Sequence, residues 1–320
     1  FYGDFTFSFV YKTKTAQANS SMYVSAFPMS FDNMSYTNQL FELGVKYASA
    51  NDANPSLLLT RSHCTNSAST AENHPLIVGN TDKTLMQFDH SQGIRYTVKR
   101  HVFADHAQYT LNVQSVANDS QRATRSFAWA WTKEDERLRY DAPVMLVFRN
   151  IAITGTYSNI SWDDGEVTSD YSVQDTSSVT GEEWIGLGKN NNYDPVSGFV
   201  PGDVSVHTAE ASANPSTGKY KVVIEYSADN SSDAYGAAIH IGFGQEYKNQ
   251  EYLFEVPLDH TDGGKKYIVL DIDLGRQYTK GWGDTLFITC KPHGRSVNDV
   301  WRPSVKIFKI AMYQQSTQTA

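Results

Sequence analysis

The sequence predicts an all-β protein made of two tandem antiparallel β-sandwich (jelly-roll) domains. Strand-like segments recur along all 320 residues, and clusters of Gly, Asn, Asp and Pro separate them. A helical period is nearly absent. A succession of strands without intervening helices favours antiparallel sandwiches over a βαβ fold. The length exceeds that of one ordinary sandwich and suits two.

The first half contains nine strand-like segments. Phe5, Phe7 and Phe9 share one face of the first segment, so we expect that face in a hydrophobic core. The one helix-like patch, Thr132–Tyr140, is short. The segments are DFTFSFVYK, MYVSAF, LFELGVKY, SLLLTRS, PLIVG, IRYTVKRHVF, QYTLNVQSV, TRSFAWAW and MLVFRNIAITG.

The second half contains seven further segments. In one of them Val222, Ile224 and Tyr226 alternate with Lys221, Val223 and Glu225, which predicts a strand with two different faces. A polar, turn-rich stretch over 171–192 separates the halves. We place the boundary near residue 180, giving domains 1–180 and 181–320. The segments are VSVHTAEAS, YKVVIEYSA, AAIHIGFG, YLFEVPL, YIVLDIDLG, TLFITCKP and VKIFKIAMY.

The net charge and the distribution of apolar residues argue against two classes of function, nucleic-acid binding and membrane insertion. The net charge is −8 without a block of like charges, so no nucleic-acid partner is expected. The short run Lys99-Arg100-His101 is interpreted as one solvated strand face. No apolar stretch approaches the length of a membrane helix, so no membrane insertion is expected. Cys64 and Cys290 fall one in each domain, and we expect unpaired thiols in strands.

The first half resembles the laminin-G and concanavalin A-like sandwiches, a group of glycan binders, protein binders and hydrolases. The opening strand Phe5–Tyr11 has an F-x-F-S-F pattern, and Leu40–Gly44 follows it. A return strand, Tyr109–Val113, and a closing segment, Phe148–Ile153, complete the resemblance. It covers about half the chain and is a pattern of strands.

The second half resembles the jelly-roll carbohydrate-binding modules. These modules commonly carry an early G-x-Y-x-V strand, which Gly218–Val222 matches. They often close on an apolar strand, as Val305–Ile310 does. The resemblance implies a second sandwich and a glycan ligand.

An active site is not expected. The one dense acid cluster, Glu134-Asp135-Glu136, lacks the Glu-x-Asp-x-Glu spacing of the retaining glucanases, because adjacent acids on a strand point to opposite faces. A solvated charged turn is the simpler interpretation. The Gln-Ile-His and Tyr-Phe-Lys-Ala-Gly motifs of sandwich-fold alginate lyases are absent, as are the His-Glu-x-x-His, Gly-x-Ser-x-Gly and P-loop motifs. Acids distant in sequence can converge, so an enzyme stays an open alternative.

Loop-borne aromatic residues are the candidate ligand-binding groups, because flat rings give apolar contact to a sugar while polar neighbours fix its orientation. Trp282 is flanked by glycines that indicate a loop. Burial over a sandwich end is the alternative for such a tryptophan. The other candidates are Tyr278, Asp284 and Arg276 beside Trp282, the group Trp301, Arg302 and Arg295, Tyr193 near the domain junction, and Trp162 at a rim. Trp129 and Trp131 are expected in the core.

No cofactor is expected, with structural calcium as the single alternative. Asp163, Asp164 and Glu166 supply oxygen ligands in one short loop, and the 259–262 loop supplies others. A plain Asp-Gly turn explains the same residues. We therefore keep these acids as metal candidates only.

The sequence predicts a non-catalytic module that recognises a polysaccharide or cell-surface glycan. It begins at Phe1 with strand-like sequence, so we expect part of a longer extracellular or virion-surface protein. Weak single-site affinity favours multivalency, and a homo-oligomer fits that expectation. Two alternatives remain. One is the receptor-binding tip of a phage tail fibre, tailspike or adhesin, and the other is a polysaccharide-active glycosidase or lyase.

Overall fold

The chain is all-β and antiparallel throughout the parts that the computed structural model describes. These parts are residues 1–28, 39–50, 52, 55–61, 74–75, 88, 90–104, 106–130, 141–179, 204–207, 218–229, 237–245, 248–274, 286–292 and 304–314. The sixteen strands are β1 (Phe5–Pro28), β2 (Phe41–Tyr47), β3 (Ser56–Arg61), β4 (His74–Pro75), β5 (Ile94–Val102), β6 (His106–Ser115), β7 (Arg122–Ala130), β8 (Val144–Asp163), β9 (Tyr171–Gln174), β10 (Val204–His207), β11 (Gly218–Asp229), β12 (Ala237–Gln245), β13 (Lys248–Pro257), β14 (Lys266–Leu274), β15 (Leu286–Pro292) and β16 (Ser304–Gln314). Within these ranges no helix spans a membrane's width with an apolar sequence.

The chain divides into two compact units, Phe1–Thr168 and Ser169–Ala320. This division lies before the boundary near residue 180 that the turn-rich sequence suggested. The reason is β9, whose residues Tyr171–Gln174 pair with β14 and so belong to the second unit. Whether the units are laminin-G-like and carbohydrate-binding-module-like stays a prediction.

A long two-stranded ribbon organises the first unit. β1 spans 24 residues and β8 spans 20, and they pair along almost their whole length. β1 lies between β8 and β5 over its first half and between β8 and β2 over its second half. Beyond β5 the sheet continues with β6 and β7, and beyond β2 it continues with β3 and β4.

The two halves of this sheet face each other across one core. The ring of Phe41 in β2 lies 5.7 Å from the ring of Tyr109 in β6, although these strands are not neighbours in the sheet. The pairing register between β1 and β8 shifts between Ala16 and Ser21, which allows the ribbon to pass from one layer to the other. The first unit is therefore a sandwich built from one continuous hydrogen-bonded sheet.

The predicted core face of the first strand is confirmed. Phe5, Phe7 and Phe9 are buried in the hydrophobic cluster of the first unit. The segments around Phe5 and around Val24, which the sequence suggested as two strands, form the single strand β1. The polar residues between them carried no alternation from which a continuous strand could be predicted.

One prediction about charge was wrong. Arg100 is fully buried, whereas the run Lys99-Arg100-His101 was expected to lie on one solvated face. Neighbouring strand residues point to opposite faces, and Arg100 lies opposite Phe5 and Tyr109 on the core side. Its guanidinium donates a hydrogen bond of 3.0 Å to the Ala142 carbonyl.

The described residues of the second unit form two four-stranded sheets, ordered β10-β15-β12-β13 and β16-β11-β14-β9. The strand that the sequence predicted around Val222 is present as β11. Val222, Ile224 and Tyr226 are buried, and Val223 on the opposite face is buried as well. Cys290 lies in β15 opposite Val204 and Ile239. Cys64, Trp131, the helix-like patch 132–140 and the acid cluster at 134–136 lie outside the described residues. Trp129 lies in β7 opposite Ala107.

Candidate binding surface

Of the predicted ligand-binding residues, the described part of the chain contains Trp162 alone. Trp162 lies at the C-terminal end of β8, whereas the sequence suggested a rim loop. The side chains predicted around the second-unit loops and the domain junction lie outside the described residues and stay predictions. They are Trp282, Tyr278, Asp284, Arg276, Trp301, Arg302, Arg295 and Tyr193.

Trp162 is displayed to solvent on the core-facing side of the ribbon. Its backbone lies directly opposite Phe7, and directly opposite residues of antiparallel strands share a face. Phe7 is buried, but 69% of Trp162 is exposed. The tryptophan therefore extends the apolar face of the core beyond the part that the opposite layer covers.

Further apolar side chains continue this exposed face along β8. Ile160 is 60% exposed and Phe148 is 39% exposed. The Phe148 ring lies 5.9 Å from Phe7 and 5.3 Å from Tyr157. We call Phe148, Tyr157, Ile160 and Trp162 the β8 ledge. Exposed apolar side chains with polar groups beside them are often part of an interaction site.

The ledge rests on a packed aromatic layer. The Phe148 ring meets Phe9 edge-on at 5.2 Å, and the Tyr157 ring lies 4.9 Å from Tyr11. Gly155 makes room for this layer, because a side chain at that position would overlap the Tyr11 ring. Such aromatic pairs favour one fixed arrangement of rings, so the ledge is supported from below by the core.

Polar groups beside the ledge can donate and accept hydrogen bonds. The Tyr157 hydroxyl donates a bond of 2.7 Å to Asn150 Oδ1. Burial raises the pKa of Tyr157 above its ordinary value, against the effect of the bond to Asn150. Burial also raises the pKa of Tyr11. Both phenols are therefore neutral at physiological pH. The Tyr157 hydroxyl is a hydrogen-bonding group, whereas the Tyr11 hydroxyl is buried without a hydrogen-bond partner among the described residues.

The acids proposed for calcium lie just past Trp162, in an exposed turn. Asp163 Oδ1 accepts a hydrogen bond of 2.9 Å from the Gly165 N–H, which is the local bond of a plain Asp turn. In the 259–262 loop, Asp259 pairs with Lys266 at 3.0 Å. Across the described ranges, no three His, Cys, Asp or Glu side chains come together in a way that could hold a metal ion.

Sequence reasoning missed Phe148, Tyr157 and Ile160. Ile160 lies two positions before Trp162, so strand alternation could have linked the two had β8 been extended past residue 154. Phe148 and Tyr157 approach each other because the ribbon passes between layers, and no local pattern predicts that. The ledge can contact an apolar or amphipathic partner, and none of its members is a nucleophile or an acid–base pair.

Comparisons with known proteins add little. No family model matches the chain, and no curated protein matches it. Viral particles are among the solved structures with some similarity. A T13 particle of infectious bursal disease virus (IBDV) matches at 10% identity and a TM-score of 0.25, covering 98% of this chain and 56% of that chain. The VP2 subviral particle of the same virus matches at 10% identity and 0.24, covering 98% and 58%. The chain thus spans little more than half of these proteins, and TM-scores this low indicate neither a shared family nor a shared function.

Proposed function

We propose that this chain is a non-catalytic recognition module of a larger extracellular or virion protein, and that the first unit binds a glycan through the β8 ledge. The observation that carries the proposal is the large exposed fraction of Trp162, 69%, at the end of a ledge that the core supports. Exposing a ring this large to water is unfavourable, so a partner that covers it is expected.

The chemistry of the ledge fits a sugar ring. An indole face offers flat apolar contact to the C–H groups of a sugar, and amphipathic rings combine such contact with hydrogen bonding. Asn150, which bonds the Tyr157 hydroxyl, borders the ledge with an amide group that can bond sugar hydroxyls. A rigid sheet with a few polar groups at its border is the general form of a small-ligand site. The resemblance of both halves to glycan-binding sandwiches points to the same ligand class.

The test is a glycan array probed with the unaltered chain and with Trp162→Ala. We expect the unaltered chain to bind a subset of glycans and the variant to lose at least about tenfold in affinity, the size of effect that removing one buried aromatic contact produces. Phe308→Ala is the matched control, because Phe308 is an exposed ring of the other unit, 42% exposed. It should bind as the unaltered chain does.

Two outcomes would contradict the proposal. Equal binding by Trp162→Ala and the unaltered chain would remove the ledge as the site. Release of reducing ends, or of unsaturated sugars, from a bound polysaccharide would show a glycosidase or a lyase instead of a binding module. A receptor-binding tip of a tail fibre, tailspike or adhesin differs from an enzyme appendage in sticking to whole cells as an oligomer, which cell binding measures directly.

A further inference from the structure

The free edge of β8 carries an inference that goes beyond glycan binding and does not rest on it. Among the strands described, β8 pairs with β1 only, so its other edge presents backbone N–H and C=O groups. Residues 158–163 are all exposed. Such an edge is a template for pairing with another strand.

We propose that two copies of this chain pair through β8, with the strands antiparallel about a two-fold axis at Thr156. Each residue then lies opposite the residue equally distant from Thr156 in the second copy. Such an interface is self-complementary, as two-fold symmetry requires. Three features of β8 agree with this register. They are the positions of its charged residues, the faces to which its side chains point, and the residue types at its centre.

The charges of β8 are complementary in this register. The strand contains one cation, Arg149, and one anion, Asp163, which lie seven positions before and seven positions after Thr156. Pairing therefore places Arg149 of each copy opposite Asp163 of the other, forming two ion pairs. A shift of two residues in either direction would separate both pairs.

Both charged side chains lie on the same face of the sheet, as directly opposite residues must. Asp163 lies opposite Thr6, which faces away from the core side of Phe5 and Phe7. Arg149 lies opposite Tyr23, and its guanidinium stands about 6.0 Å from the centre of the Tyr23 ring. Tyr23 alternates with Met22 and Val24 of the core cluster, so it is also on the outer face.

Two backbone irregularities of β8 agree with the same axis. Ala152 and Asn159 have positive φ values of 51° and 49°, and each changes which residues of the strand face outward. In a regular strand Ile151 and Ile153 would share a face, but Ile151 points away from the core and Ile153 points into it. Such irregularities usually protect an edge from pairing, but here they lie on opposite sides of Thr156. In this register Ala152 lies opposite Ile160 and Asn159 lies opposite Ile153, so the two irregularities fall within one position of each other when the strand pairs with itself.

The centre of the strand has side chains suited to antiparallel pairing. Thr154, Thr156 and Ser158 are exposed, and Thr156 would meet its own symmetry copy while Thr154 meets Ser158. Cross-strand hydroxyl pairs of this kind stabilise antiparallel sheets.

The test uses charge reversal and sedimentation velocity of the full chain over a range of concentrations. We expect the unaltered chain to form dimers, and Arg149→Asp and Asp163→Arg each to weaken dimerisation by about tenfold or more, because each variant alone has like charges opposed twice. An equimolar mixture of the two variants should recover the dimer, since each acid then meets a base. Recovery on mixing excludes misfolding as the cause of the loss.

A second experiment tests the position of the two-fold axis. Thr156→Cys should give a covalent dimer on mild oxidation, because symmetry places the two side chains together, and the unaltered chain controls for Cys64 and Cys290. Thr156→Lys should prevent dimerisation, whereas Phe308→Lys, with the same added charge on an exposed residue of the second unit, should not. A monomeric unaltered chain, or single reversals that dimerise normally, would overturn the proposal. Unchanged glycan binding by Trp162→Ala in a chain that still dimerises would count against the proposed function alone.

Discussion

Asp4 and His101 join the start of the first unit to the end of β5. The Asp4 carboxylate lies 2.7 Å from His101 Nδ1, and it also accepts backbone N–H bonds from Val102 at 2.8 Å and Val167 at 3.0 Å. One carboxylate therefore holds the N-terminus, β5 and the last residues of the first unit together. No sequence pattern identified this residue, because its partners lie about 100 and 160 positions away.

We expect stability to depend on the ionisation of Asp4. Burial alone would raise the pKa of Asp4, but the bonds from Val102, Val167 and His101 outweigh it and hold the pKa below the ordinary value of 3.8. A carboxyl with a lowered pKa in the folded state stabilises the fold above its unfolded pKa. That stability is lost as the pH falls through the folded pKa, so the loss is expected below about pH 4.

Asp4→Asn should reduce the free energy of unfolding by about 2 kcal/mol at pH 7, because charge-assisted bonds to a partly buried carboxylate are lost. It should also flatten the pH dependence of stability in the acid range. Urea denaturation at pH 7 and pH 3 measures both effects, with Asp164→Asn, an exposed acid, as the control. An Asp4→Asn variant with the same acid sensitivity as the unaltered chain would show that another carboxyl is responsible.

The contact between Phe41 and Tyr109 should hold the two layers of the first unit together. Phe41 is fully buried, and Phe41→Ala should cost about 3–5 kcal/mol, as such core truncations do. Tyr2→Ala removes a ring that is 75% exposed and should cost less than about 0.5 kcal/mol. Denaturant titrations followed by fluorescence measure both. Similar costs for the two variants would mean that the layers are not held by this contact.

Gly44 should tolerate no side chain. A methyl group there would overlap the Met22 carbonyl oxygen and approach the Tyr23 Cα to 2.6 Å, and both atoms belong to the backbone of β1. Because backbone cannot move aside cheaply, Gly44→Ala should cost at least about 3 kcal/mol. Gly3→Ala is the contrast, since Gly3 has a positive φ of 57° and open space around it. Gly3→Ala should reduce the free energy of unfolding by only about 1 kcal/mol. Urea denaturation measures both variants, and equal losses would contradict the steric argument.

The local features of the fold could be predicted, whereas its long-range arrangement could not. Alternation at Phe5, Phe7 and Phe9 identified a core face because the strand period is a property of neighbouring residues. The same method ended β8 near residue 154, although the strand continues to Asp163. The extension is mostly Thr, Ser and Asn, which satisfy their backbone bonds against β1, and its few large side chains, Tyr157, Ile160 and Trp162, are too irregularly spaced to give a continuous alternation. Only pairing with a distant strand defines them as sheet.

The candidate surface was predicted in part for the same reason. Trp162 was selected as a ring beside polar residues, and it is exposed, while its role in binding stays a prediction. Its companion Phe148 was assigned to a closing core strand, because an apolar segment gives no indication of where the opposite layer ends. The extent of the layers depends on contacts such as Phe41 with Tyr109, and these join residues far apart in sequence.

Trp162 should contribute to binding and little to stability. Hydrophobic stabilisation is roughly proportional to the apolar area removed from water, and most of this side chain is already exposed. Trp162→Ala should therefore change the free energy of unfolding by less than about 0.5 kcal/mol. Phe9→Ala, which truncates a fully buried ring beneath the same ledge, should cost about 3–5 kcal/mol. Thermal and urea unfolding of the two variants separates the roles. A loss of about 2 kcal/mol or more in Trp162→Ala would mean that the indole packs within the folded chain, and the ledge would then be part of the core instead of a surface for a partner.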